Sequence, residues 1–505
     1  MNPLETYLRE LSEARGPGVP ETSFYPPLRN LLNAIGDTLK PKVRCIVHLK
    51  DKGAGIPDGG LFSADSLKKN SDAEPLVGLP PDRGAIEVKP PSDDAWLVAD
   101  SAQVSKYWDK YGNVLVTNCR DFVVVGRDAQ GKPIKLETYR LADNEADFWS
   151  AAAQPHKTAG LHGERFAEYL KRVMLHAAPI AAPETVAWFL ASYARDARIR
   201  IEQQTGLPAL AALRGALEEA LGLKFEGAKG EHFFRSTLVQ TLFYGVFSAW
   251  VLWHRENPAR RDRFDWKTAA YYLRVPVIQA LFEQVSAPTK LKPLGLMEAL
   301  DWAVTVLSRV DREAFFKKFT TGHEIQYFYE PFLEAFDPAL RKEFGVWYTP
   351  IEVVQYQVAR VDTVLRDELG IADGLADPRV VVLDPCCGTA AYIVEVLKRI
   401  AATLRDKHGD ALCAAEVKKA AIERVFGFEI LPAPFVVSHL QLGLLLQDLG
   451  APLSDKKAER VGVYLTNSLT GWQPLKEPKQ HVLFKEFEDE RDAADHVKQS
   501  QRILV

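Results

Sequence analysis

Apolar residues in this chain recur at different spacings in different regions. Up to about residue 150 they fall in short runs rich in β-branched side chains, KVRCIVHL, GAIEVK, NVLVTN and DFVVVG, separated by Gly, Pro and Asp turns. Such runs predict strands mixed with short helices. From about 160 to 340 the spacing becomes helical, broken at Pro179, Pro183, Pro208, Pro258, Pro276 and Pro288. That predicts an all-helical middle. Strand runs return as VVVLD (380–384), VFGFEI (425–430) and VGVYLTN (461–467), with helical stretches between them. Strand and helix in alternation predict a parallel, doubly wound sheet. The expected organisation is therefore α/β at residues 1–150, a helical connector at 160–340, and a partial Rossmann-like domain at 341–505.

The most apolar run, Leu238–Trp253, has 16 residues, carries Gln240 and is flanked by Arg235, His254 and Arg255. A membrane span needs ~20 residues, so a helix buried in protein is expected and no membrane partner. At 505 residues the chain has room for roughly three domains of about 150 residues each. Its 47% hydrophobic and 26% charged content excludes disordered and fibrous classes. The net charge of −4 means that a nucleic-acid partner would have to meet a local basic surface. HRENPARRDRFDWK (254–267), with arginines interleaved with Phe264 and Trp266, is one candidate, diluted by Glu256, Asp262 and Asp265; its plainer reading is a solvated helix end. Five cysteines without CxxC spacing fit reduced thiols, and the charged N-terminus has no signal-peptide core, so a cytoplasmic location is expected.

The first candidate chemistry lies in GIPDGGLF (55–62) and GAIEVKPPSD (84–93). Side chains alternate along a strand, so Glu87 and Lys89 share a face. If the Asp58 turn lies beside that strand, two carboxylates form an oxygen site suited to Mg²⁺, and Lys89 can orient or activate a water. DSAQVSKYWDKYG (100–112) reads as a helix with Gln103 and Tyr107 on one side. A Glu–Lys pair alone is common on a solvated face. In this order the elements resemble the PD-(D/E)XK nuclease core found at the front of restriction enzymes. The resemblance implies Asp58 and Glu87 as metal ligands, Lys89 at the attacking water, and Gln103 and Glu21 close to the metal.

The second candidate is VVVLDPCCGTAAYIVEVL (380–397). Asp384 ends a buried strand and the following turn opens a helix, the place where open α/β sheets bind ligands. Glu429 ends the next strand, where an acid can accept both ribose hydroxyl protons. GxGxxG is missing, which argues against a plain dinucleotide dehydrogenase. The spelling resembles N6-adenine DNA methyltransferases of single-chain restriction-modification enzymes. DPCCGTAAYIV corresponds to their cofactor loop, FGVWYTPIEVVQYQV (344–358) to the segment closing over the methionine part, GFEILPAPF to the acidic second motif and VYLTNSL (463–469) to the third. GHEIQYFYEPFLEAFDPALRKEFG (322–345) is similar to their helical lead-in. The resemblance implies S-adenosylmethionine as cofactor, held by Tyr348, Thr349, Pro350, Asp384, Pro385, Cys386, Gly388, Thr389, Tyr392, Glu429, Ile430 and Asn467.

Two departures stand out. Ala390 replaces a frequent glycine, and its methyl is expected to crowd the ligand. The [ND]PP[YF] motif that holds the flipped adenine is absent, and QSQRILV (499–505) reads as the start of the strand that would precede it. A truncated chain, a split gene with a second polypeptide, or a cofactor sensor would each account for this, and methylation by this chain alone is expected to be undetectable. The expected function is a phage-defence restriction-modification protein acting on double-stranded DNA, with Mg²⁺ and S-adenosylmethionine. The alternatives are a non-catalytic DNA- and cofactor-binding subunit or sensor and, less well matched to the N-terminal pattern, a small-molecule methyltransferase.

Overall fold

The computed structural model describes residues 2–500 except 17, 40, 50–54, 56, 69–79, 128–132, 176–179, 205–209, 222–223, 257, 260–261, 274, 320–323, 338–348, 409, 455–458 and 470–484. The chain folds as two compact units, residues 1–181 with 308–315, and residues 182–307 with 316–505.

The first unit is built on a six-stranded sheet in sequence order: β1 (Val43–Val47), β2 (Gly59–Ser63), β3 (Gly84–Val88), β4 (Val114–Thr117), β5 (Asp121–Arg127) and β6 (Pro133–Arg140). Every pairing is antiparallel except β3 with β4. A parallel step needs a crossover. Of the helices in this unit, α1 (Pro3–Ala14), α2 (Tyr25–Gly36), α3 (Ala102–Tyr111) and α4 (Pro155–Met174) matter most here, and α3 lies in that crossover. Leu8, Leu32 and Phe166 from α1, α2 and α4 share a core with Ile86, Val88 and Leu115. Val104, Tyr107 and Trp108 of α3 share the other with Ala85 and Val116. The two-residue alternation therefore aims Glu87 toward the face that α3 covers.

Two strands were not foreseen. GGLFS opens with two glycines and lacks the β-branched signature, yet all five residues of β2 are buried between β1 and β3. PIKLETYR mixes Ile134, Leu136 and Tyr139 with charged residues and is mostly open to solvent, as fits an edge strand.

In the second unit, helices α5 (Pro183–Glu202), α6 (Gly227–Glu256) and α7 (Glu324–Phe336) include the expected apolar run. Every residue of α6 from Leu238 to Val251 is buried, and Phe247 stacks on Phe328 of α7 with ring centroids 3.6 Å apart. Buried on all sides over Leu238–Val251, this stretch of α6 is a core helix. No described helix is long and apolar enough to cross a membrane. The C-terminal part contains α8 (Ile351–Thr363), β7 (Val382–Asp384), α9 (Ala391–His408), β8 (Val425–Glu429), α10 (Pro432–Asp448), β9 (Gly462–Leu465) and α11 (Lys485–Lys498). As expected, β7, β8 and β9 are parallel neighbours in that order.

Helix α4 buries Phe166, Tyr169 and Val173 in the first unit's core, whereas the helices of 182–307 group with the C-terminal sheet.

Candidate functional sites

The register Gly59↔Ile86, Gly60↔Ala85, continued one step, sets Asp58 opposite Glu87. Asp58 Oδ2 accepts from the Val88 N–H at 2.8 Å, so the acid at the mouth of β2 is held against β3. Asp58 Oδ1 accepts from the Tyr25 hydroxyl at 2.5 Å, and Glu21 Oε1 lies 2.9 Å from the same hydroxyl. One phenolic proton thus serves two carboxylates. Burial, then Asp58 and Glu21, push the Tyr25 phenol far above its ordinary range, so it stays a donor.

Glu87 is 1% exposed. Its Oε1 accepts from Lys89 Nζ at 2.6 Å, while its Oε2 is buried without a hydrogen-bond partner. Burial raises the Glu87 carboxyl to about 7; Lys89 opposes this and Asp58 and Glu21 add to it. Burial pulls the Lys89 ammonium down, but Glu87, Glu21 and Asp58 outweigh it and leave it above its ordinary value. Lys89 is therefore a cationic donor to Glu87. Gln103 is exposed and donates to the Tyr107 hydroxyl at 2.9 Å. It reaches the cluster through Tyr107, whose phenol is raised by burial and by Glu87 and Asp58 despite that bond.

An orphaned buried carboxylate oxygen beside a second carboxylate fits a hard cation with oxygen ligands, Mg²⁺ among them. No group of three or more His, Cys, Asp or Glu side chains in metal-holding geometry occurs among the described residues. Tyr25 was not foreseen; the only signal was its position four residues after Glu21 at the start of a helix.

At the carboxyl ends of β7, β8 and β9 lies a cavity of about 340 Å³, within the ~300–1,000 Å³ range of small-ligand pockets. Pro385, Cys386, Gly388 and Thr389 line one side, and Glu429 and Ile430 another. Thr349, Tyr392 and Asn467 complete the expected members. Pro350 instead caps α8, and Asp384 is outside the lining, with its Oδ1 accepting from the Cys386 N–H at 3.2 Å. Burial raises Asp384 above its ordinary value. Tyr348 lies outside the described residues.

Glu429 ties the loop to the sheet. Its Oε2 accepts from the Gly388 N–H and its Oε1 from the Leu431 N–H, both at 2.8 Å. Both oxygens therefore have protein donors and offer a ribose only their remaining lone pairs. Burial raises this carboxyl to about 7 despite those bonds.

Ala390 adopts φ +70 and is fully buried outside the cavity lining, so the expected crowding of ligand does not occur; the departure is a backbone cost. Of the residues not foreseen, Gln357 accepts from the Tyr392 hydroxyl, and Ser468 donates to the Pro385 carbonyl. The basic stretch 254–267 makes no stacking surface: Phe264 and Trp266 are buried, Arg255 pairs with Asp448, and Arg263 donates to Thr305. Arg260 and Arg261 lie outside the described residues.

A parallel sheet whose strand ends frame a cavity, with a buried acid gripping the first loop, is the arrangement of a nucleotide-cofactor fold. Residues 321–450 match the N-6 DNA Methylase family, a segment that contains Asp384, Gly388 and Glu429 and ends before Asn467. No curated protein matches. Solved structures with some likeness include the DrdV–DNA complex (17% identity, TM-score 0.39, covering 98% of this chain and 42% of that one). A nuclease-deletion mutant of the Type ISP restriction-modification enzyme LlaGI with a DNA substrate mimic gives 14%, 0.40, 72% and 28% in the same order. The ATP-dependent Type ISP enzyme LlaBIII bound to DNA gives 17%, 0.41, 70% and 21%. This chain spans less than half the length of each.

Proposed function

We propose that this chain is a restriction-modification protein acting on double-stranded DNA. Residues 1–150 act as a Mg²⁺-dependent endonuclease of PD-(D/E)XK type, and 341–505 as the S-adenosylmethionine-binding part of an N6-adenine methyltransferase. Residues 160–340 connect the two activities. The observation that carries the nuclease reading is Glu87 Oε2, a buried carboxylate oxygen without a partner beside Asp58 and Lys89. Mg²⁺ bound there would supply charge neutralisation at the scissile phosphate. Asp58 and Glu87 would hold it, and Glu21 would stay within reach through Tyr25. Lys89 spends two of its three donors on Glu87 Oε1 and the Val88 carbonyl; the third orients the attacking water. The methyltransferase reading rests on the family match together with the Glu429-anchored loop at the cavity.

Glu87→Ala should abolish Mg²⁺-dependent DNA nicking while calorimetry finds the affinity for S-adenosylmethionine unchanged. Retained nicking would remove the nuclease assignment. A second reading is a non-catalytic DNA- and cofactor-binding subunit, favoured by the protein donors already on both Asp58 oxygens. Its signature is a wild-type chain that binds DNA and cofactor but does not cut with any divalent metal.

A further inference from the structure

One wall of the cavity is formed by Asn467, Ser468 and Leu469, which follow β9, with Phe428 of β8 beside them. A loop at the end of a short strand has few backbone bonds to hold it. This one is fastened from behind. The Lys498 ammonium, at the last residue of α11, donates to Thr466 Oγ1 and to the Asn467 carbonyl, both at 2.8 Å. It also lies 5.4 Å from the centre of the Phe428 ring. Its side chain is 6% exposed, so this charge has been taken out of water to sit between the loop after β9 and Phe428 of β8. Asp495, one turn earlier, has its carboxylate 3.8 Å away. From the same helix Glu490 accepts from the Leu465 N–H at 2.8 Å and pairs with Arg460. At the far side, Ser468 donates to the Pro385 carbonyl of the first loop. The wall is thus tied to α11 on one side and to the Pro385–Gly388 turn on the other.

We propose that Lys498 is a positioning residue for the cofactor cavity: it sets the place of the 466–469 wall, and with it the fit of S-adenosylmethionine. This rests on the cofactor reading above. Lys498 does not line the cavity and would act through Thr466, Asn467 and Phe428. A long, flexible side chain with three donors is ordered here by Thr466, Asn467 and the Phe428 ring, with Asp495 alongside. A lysine that only closed a helix end would need the last carbonyls of its own helix and would be solvated.

The test is calorimetric titration of the full chain with S-adenosylmethionine, comparing wild type with Lys498→Met, Lys498→Arg and Ser468→Ala. Lys498→Met, which keeps length and apolar contact, should weaken binding roughly tenfold, the order expected when a group orienting a ligand-binding element is removed. Lys498→Arg should recover most of the loss, and Ser468→Ala should weaken binding by a smaller factor from the opposite side. Thermal unfolding without ligand separates this from a structural role. If Lys498→Met lowers the melting temperature but binds as wild type does, the proposal is overturned. If Lys498→Met does not fold, Ser468→Ala decides it, and wild-type affinity in that variant overturns it. A wild-type chain that does not bind S-adenosylmethionine would instead remove the cofactor reading itself.

Discussion

Glu87 and Glu429 are two glutamates at strand ends whose carboxyls are both raised to about 7, chiefly by burial. Their surroundings differ. Glu87 keeps one oxygen unpartnered, whereas both Glu429 oxygens accept backbone N–H groups. The first has a lone pair open to a cation; the second holds a loop. A carboxyl raised from 4.5 to about 7 on folding stabilises the fold fully below 4.5 and loses that contribution as pH rises through 7. A cationic cofactor with ribose hydroxyl donors favours ionised Glu429. Its affinity should therefore rise roughly tenfold between pH 6 and 8, following the ionised fraction. Glu429→Gln should bind more weakly and with little pH dependence. Calorimetry at the two pH values checks both, and equal wild-type affinities would count against this role.

Secondary structure decides how closely the cofactor loop can approach the sheet. Gly427 sits in β8, the middle strand, where a Cβ would come within 2.6 Å of Ile393 Cδ1 and 2.9 Å of Cys387 Sγ. The loop cannot simply retreat, because the Cys387 N–H donates to the Phe428 carbonyl at 2.9 Å. Gly427→Ala should cost about 1–3 kcal/mol by overpacking. It should also weaken S-adenosylmethionine binding, since Gly388 follows directly. Denaturant melts and calorimetry measure the two effects, and unchanged affinity would show that the loop is not set by this contact. Ala390 presents the converse balance. Relief of its positive φ by glycine, about 1–2 kcal/mol, is offset by the lost methyl burial and the added chain entropy. Ala390→Gly should therefore be nearly neutral in the same melts.

Across the whole chain all five cysteines are thiols outside any disulfide, and four are buried. Cys386 is exposed and lines the cavity, with its thiol raised by burial and by the charges of Glu429 and Asp384. Thiolate is the reactive form. A colorimetric thiol assay should titrate one group in the native chain and five after denaturation, with the native reaction faster at higher pH and slowed by S-adenosylmethionine. Two or more fast native thiols would contradict the burial of Cys45, Cys119, Cys387 and Cys413.

Amino-acid order alone determined the strand–helix alternation, the helical middle, the burial of Leu238–Trp253 and the acids at strand ends. These follow from local periodicity and turn chemistry, which are written in neighbouring residues. It also placed most of the cavity's first loop, because DPCCGT is contiguous. Only the tertiary structure decided that β2 forms from a glycine-rich run, that Tyr25 bridges Glu21 and Asp58, that α4 belongs with the first sheet, and that Lys498 fastens the wall containing Asn467. Which lone pairs and which cavity walls remain available depends on contacts between residues far apart in sequence, and neither propensity nor spacing encodes those contacts.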